Sequence, residues 1–413
     1  MKALKSVLLV ASTISGITLP AAPAHAIKII VGPDASFSSS TNGAAALYGI
    51  RKAANYWNTI LSGSDNMQNI NIAVSFENIF SSGITYNNYA TPTTSAVYRA
   101  LAANAATALD ASAMASLVPL TTQGCVGVFR PSGSDGTVTG SGINIPVEGL
   151  FDNNDSLNNT RLYASTAGLK ALGFDIGNDA VDSMIKFSST TWYDFDPTDG
   201  ISYFGIDFTA VALHEIGHAL GFESATDVYD TIASPYSATF GYQGENLDDY
   251  PIVRVFDLFR RDANSPDQIE ITPGKDAIFS IDGATAFDGN GLTAQFPTGG
   301  FNGDGYQASH WKEMRPGCGA GAQIGVMDPA LAWCQMGVVT ANDLAAFDAM
   351  GYNLDFDILQ NKDYQIDTAD IFRLAGTAGV PEPTTWAMMI IGFGFVGGAM
   401  RFCTRRTTVC FAA

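Results

Sequence analysis

The residues best suited to do chemistry are gathered in His214-Glu215-Ile216-Gly217-His218-Ala219-Leu220-Gly221. Histidines four residues apart on a helix share one face, a turn from each other. That spacing suits two bonds of about 2.1 Å to a single zinc ion. Glu215 sits on the flank of that face, poorly placed as a ligand but well placed to take a proton from water. A catalytic zinc site uses three protein ligands and keeps one position open. The chain has four histidines in 413 residues. His25 falls in an N-terminal leader, so His214, His218 and His310 remain, which is the number such a site needs. Three neutral imidazoles leave the ion its full charge for activating water.

The third ligand is less obvious than the first two. Three residues beyond Gly221 stands Ser224, a poor zinc ligand. Glu223, Asp227 and Glu245 are carboxylates within a short stretch of the motif, and His310 lies far downstream in Ala308-Ser309-His310-Trp311-Lys312-Glu313. Gly325-Val326-Met327-Asp328-Pro329 follows. This arrangement resembles the leishmanolysin-like branch of the metzincin zinc peptidases. There a long insertion separates the helix from an S-H-W segment bearing the third histidine, and an M-x-P turn places a methionine under the metal. The likeness is carried by 207–224 and 306–329, with the insertion running from 222 to 309. It implies His214, His218 and His310 as zinc ligands, Glu215 as general base and Met327 as a hydrophobic floor. A site completed by Asp227, or by Glu245 as in Glu-liganded peptidases, stays open.

The same resemblance implies an α+β, two-lobed protease. Its N-terminal catalytic lobe, 27–223, holds a twisted sheet and the active-site helix. Its loop-rich C-terminal lobe, 224–380, holds the methionine turn and a helix. A protein or peptide substrate would lie between them, paired with an edge strand upstream of the helix. The chain is also similar to a group of exported bacterial metalloproteases. Phe256-Asp257-Leu258-Phe259-Arg260 and Phe279-Ser280-Ile281-Asp282-Gly283 fit that group without an assignable chemistry. The implied activity is zinc-dependent endopeptidase. Two other classes stand beside it: a non-catalytic surface or matrix-binding protein on a protease scaffold, and a zinc hydrolase of a non-peptide substrate. Glu215 argues against a pure binder, which has no use for it.

Both ends of the chain read as addresses. Lys2 and Lys5, an apolar run from Val7 to Leu19 and Ala24-His25-Ala26 make a secretory signal peptide over 1–26. Residues 381–413 carry Pro381-Glu382-Pro383, Trp386-Ala387-Met388-Met389, a Gly-rich apolar stretch and Arg401, Arg405 and Arg406. They resemble the PEP-type C-terminal sorting signal of exported Gram-negative proteins. This implies a membrane-embedded sorting enzyme as partner and an extracellular or cell-surface destination. The membrane is then touched only through the tail before processing; a permanent transmembrane tail is the alternative reading of the apolar stretch.

The net charge is −19, and it becomes more negative once both ends are removed. That disfavours nucleic acid and anionic membrane as partners. Calcium has an opening in the loop Asp194-Phe195-Asp196-Pro197-Thr198-Asp199-Gly200, although its spacing is not that of an EF-hand and a plain turn suits it better. Of the cysteines outside the tail, Cys318 and Cys334 bracket Met327 and are expected to pair. Cys125 is then left as a small buried hydrophobe, or as an inhibitory thiolate.

Periodicity predicts a helix over 44–61, with Leu47, Ile50, Ala54, Trp57 and Leu61 on one face, and a strand over 69–76. Helical propensity runs through 95–117, strands and Gly turns fill 122–150, a helix covers 159–173 up to Gly173, and 185–188 is a short strand. Asp207 is expected to cap the motif helix and Gly221 to end it. Thr340-Ala341-Asn342-Asp343 opens a further helix that closes at Gly351.

Overall fold

A computed structural model describes residues 27–64, 68–132, 148–234, 245–314 and 317–374. The expected signal peptide and sorting tail lie outside these residues. The architecture is mixed α+β. The strands β1 (Ile29–Pro33), β2 (Ile70–Glu77), β3 (Gly83–Asn87) and β4 (Val181–Ser188) form one sheet in the order β1-β2-β4-β3. β1, β2 and β4 run parallel, and β3 is an antiparallel edge strand. β2 forms because Ile70, Ile72, Val74 and Phe76 alternate onto one buried face. The short strand expected at 185–188 is the end of the eight-residue β4.

Helix α1 (Gly43–Ile60) buries Ala46, Ile50, Ala53, Ala54 and Trp57. It packs against α2 (Phe208–Ala219), the helix of the histidine motif. Their approach is close: a Cβ on Gly49 would stand 2.8 Å from the Phe208 ring. The indole of Trp57 donates to the carbonyl of Leu213 at 3.2 Å. Asp207 caps α2, its carboxylate accepting from the Ala210 amide at 3.0 Å. The turn after α2 is held by Gly221, at φ +105°, a conformation that suits glycine.

After α2 come α3 (Thr226–Ile232) and, near the end of the described chain, α4 (Ala341–Ala349), which opens on a reciprocal capping box between Thr340 and Asp343. A second, six-stranded sheet joins 128–131 and 149–152 to 260–262, 269–270, 277–279 and 295–296. It draws strands from both sides of residue 223, so segments assigned to different lobes share one sheet. At its side, Trp311 is wholly buried among Phe222, Phe256, Phe279 and Phe296, with ring centroids 4.9–6.0 Å away.

Two expected helices are broken. Over 95–117 the chain makes Thr94–Asn104 and Ala108–Ser116, because Thr107 forms a capping box with Asp110 and restarts the helix. Over 159–173 only Thr166–Ala171 is a regular helix beyond a short turn at Leu157–Thr160. Ala164–Ser165 is drawn out to pair with Tyr89–Ala90, and the Ser165 hydroxyl then caps the helix. Within 122–150, strands form at Val128–Pro131 and from Gly149, and 133–147 lie outside the described residues. Among the described residues no helix is long and apolar enough to cross a membrane.

Candidate metal centre

His214 and His218 project from one face of α2, as the four-residue spacing dictates, and His310 approaches them from the segment preceding Trp311. The Nε2 of His218 lies 3.0 Å from that of His214 and 3.2 Å from that of His310. One ligand atom from each lies within 4.8 Å of the others. Each Nδ1 faces a main-chain carbonyl: His214 to Val326 at 2.9 Å, His218 to Phe222 at 2.7 Å and His310 to Gln307 at 3.1 Å. A carbonyl only accepts, so each Nδ1 carries the proton and each neutral ring presents a bare Nε2. Burial lowers the basicity of His214 to about 4 and of His310 to about 3, and pushes His218 well down, which favours the same neutral form.

Three lone pairs at such distances repel one another unless a cation stands between them. Tetrahedral zinc with bonds of about 2.1 Å sets its nitrogens roughly 3.4 Å apart. The donor set, its spacing and its tautomers therefore fit a zinc ion.

Glu215 lies next to this cluster, buried against β3. Thr85 donates its hydroxyl to Oε2 at 2.6 Å. Burial raises the Glu215 carboxyl to about 7, partly offset by the Thr85 bond. Asn87, two residues on along the strand, donates to the carbonyl of His218 at 2.9 Å. The three histidines, Glu215 and β3 line one cleft of about 610 Å³.

Met327 is fully buried under α2; a Cβ on Gly217 would stand 2.4 Å from its sulfur. Cys318 and Cys334 form a disulfide. Cys125 is buried, and burial pushes its thiol up to about 11, away from the thiolate. Glu245 accepts the Tyr250 hydroxyl at 2.5 Å and does not line the cleft. Asp194 and Asp196 accept from amides and hydroxyls of their own loop.

The carboxylates near the motif are tied up elsewhere. Glu223 accepts the Tyr89 hydroxyl at 2.7 Å and faces Arg254. Asp227 accepts from the amides of Ala308 and Ser309 at 2.6 and 3.0 Å, and from the Ser309 hydroxyl. It thereby holds the segment that delivers His310. Ser224, where a nearer third histidine would fall, donates its amide to Ser309 and its hydroxyl to Asp257. Asp257 also accepts from the amides of Arg254 and Ala225, and buried Arg260 donates to the carbonyls of Glu270 and Pro297. Phe256 and Phe279, from the two segments to which the sequence assigned no chemistry, close around Trp311.

Asp343 was also missed as a site residue. Its carboxylate accepts from the Trp311 indole and from the amides of Val326, Met327 and Thr340. The capping-box pattern was the available signal, but it pointed only to a helix start.

A PEP-CTERM protein-sorting motif matches residues 379–406. No curated protein and no solved structure matches the chain. The motif marks a protein exported to the cell surface or extracellular space of a Gram-negative bacterium, and recognised by a C-terminal sorting enzyme in the membrane.

Proposed function

We propose that this exported protein is a zinc-dependent endopeptidase of metzincin-like build, with its cleft between the α2–β3 face and the segment 307–331. The observation that carries the reading is the convergence of three Nε2 atoms, each ring tied through Nδ1 to a main-chain carbonyl, beside a buried, hydroxyl-anchored carboxylate. His214, His218 and His310 would hold the ion, and Met327 would form the floor beneath it. Zinc bound there supplies Lewis acidity, polarising a scissile carbonyl and making water a stronger acid.

Glu215 takes the proton of the attacking water and passes it to the leaving amine. Its place beside the three histidines, with one oxygen held by Thr85, suits a carboxylate to both halves of that transfer. Thr85 keeps the carboxylate turned toward the cleft. The outer edge of β3 has no strand partner among the described residues. An extended peptide would add to that edge by main-chain hydrogen bonds, and this favours a polypeptide over a compact substrate.

The test is casein cleavage by the purified protein with and without a zinc chelator. Cleavage should stop on chelation and return with zinc. Glu215→Ala should keep its zinc and lose activity by about a hundredfold or more. Cleavage that survives chelation or the Glu215 substitution refutes the reading. Failure to cleave casein favours a binding role or a non-peptide substrate.

A further inference from the structure

Four carboxylates line the cleft, Glu215, Glu223, Asp227 and Asp328, and among its described lining residues there is no lysine or arginine. Three of the four are engaged by the hydroxyls, amides and guanidinium described above. Asp328 is not. Its Oδ1 accepts from the Gly325 amide at 3.2 Å, while its Oδ2 is buried without a hydrogen-bond partner. The residue is 7 % exposed. Burial and the neighbouring Asp343 carboxylate hold its carboxyl well above the usual range. A buried carboxyl with one oxygen unpartnered, and with no cationic side chain among the described lining residues of the cleft, is costly, and a cation entering the cleft would relieve that cost.

Asp328 lines the same cleft as the three histidines. It follows Met327 directly, and the Val326 carbonyl one residue earlier holds His214. Ala210 and Val211 of α2, together with Pro329 and Leu331, supply apolar cleft wall. Apolar walls with one carboxyl suit a long aliphatic stem that ends in a positive charge.

Resting on the reading of this cleft as a peptidase site, we infer that it selects substrates with an arginine or lysine side chain next to the scissile bond, and that Asp328 is the residue that reads the charge. The strongly acidic chain concentrates cationic polypeptides near the cleft as well.

The experiment uses a library of extended peptides in pairs, each pair differing only by arginine or the uncharged isostere citrulline. Binding is measured by fluorescence anisotropy on the zinc-loaded Glu215→Ala protein, and cleavage is measured on the protein with Glu215 intact. Arginine peptides should bind roughly tenfold tighter or better, the scale of one charge-assisted hydrogen bond. Adding Asp328→Asn, which keeps the Oδ1 acceptor, should erase the difference. Leu331→Lys, at a partly exposed wall position, should weaken arginine peptides selectively and gives a second route if the Asn variant does not fold. Equal binding of both peptides, or a preference that survives Asp328→Asn, overturns the inference. An Asp328-dependent preference in a protein that cleaves nothing would keep the charge recognition and remove the peptidase reading. Cleavage of both peptides at one rate would do the reverse.

Discussion

A Cβ placed on Gly83 would stand 2.5 Å from Oε1 of Glu215, so the edge strand meets the carboxylate as closely as glycine permits. Two residues along, Thr85 holds the other carboxylate oxygen. β3 therefore positions the proposed base as well as offering an edge to substrate. Gly83→Ala should push the carboxylate aside without touching the three histidines. The expected result is unchanged zinc content and melting temperature, with kcat/KM down about a hundredfold, the scale of a misplaced catalytic group. Metal analysis beside peptide kinetics checks it; wild-type rates would remove the strand from that role.

The Asp227 carboxylate is placed to hold the backbone that carries His310. Asp227→Asn leaves one oxygen for three donors and turns an NH2 toward some of them. Zinc affinity should fall roughly ten- to a hundredfold, as for other groups that orient ligands, with a loss of about 1–3 kcal/mol in stability. Competition with a fluorescent chelator measures the first and denaturant unfolding the second. Unaltered affinity would show that the His310 segment is held without Asp227.

These two cases show where local pattern stops being informative. The facing of His214 and His218, the Asp207 cap and the turn at Gly221 follow from helical period and backbone preference, so they are readable in a few consecutive residues. The approach of His310 depends on Asp227, Asp257, Arg260 and an aromatic box around Trp311, all contributed from far away in the chain. Only the scarcity of histidine and the resemblance at 306–329 pointed to it. Asp227 and Glu223 read as possible ligands because a carboxylate that binds metal and one that binds amides are the same group in sequence. The break at Thr107 was missed for a related reason. Alanine-rich propensity favours one continuous helix, and a single capping hydroxyl with its Asp110 partner decides otherwise.

Stability against acid should carry the signature of the buried imidazoles. In the metal-free protein His214 and His310 are held down to about 4 and about 3, whereas in the unfolded chain they titrate near 6.5. Between those values the unfolded chain binds more protons. The stability from these residues is thus present above pH 6.5 and lost as pH falls toward 4 and then 3. Glu215, raised to about 7, and Asp207 and Asp343, raised to about 6, have the opposite sign; their contribution is present at low pH and lost as pH rises through 6 to 7. The two sets overlap, so a variant is needed to separate them. After chelation, acidification from pH 6.5 to 3 should lower the melting temperature of His310→Gln less than that of wild type, or raise it more. Parallel curves would mean that His310 is not held neutral in the fold.

Asp343 links three parts of the site through one carboxylate. Oδ1 takes the Trp311 indole at 2.9 Å, next to His310, and Oδ2 takes the Val326 amide at 2.9 Å, next to Met327. Oδ2 also accepts the Thr340 amide at 2.9 Å, which starts α4. A Cβ on Gly325 would fall 2.2 Å from Oδ1, so the turn is pressed against this group. Asp343→Asn replaces one acceptor by a donor that faces buried N–H groups, and leaves at least one of them unsatisfied. The expected cost is about 1–3 kcal/mol for each donor left unpaired. Because those donors belong to the segments carrying His310 and Met327, zinc affinity should fall with stability. A variant that loses stability but binds zinc as tightly as wild type would confine Asp343 to capping α4. Calorimetric unfolding and zinc competition on the same preparation distinguish the two outcomes.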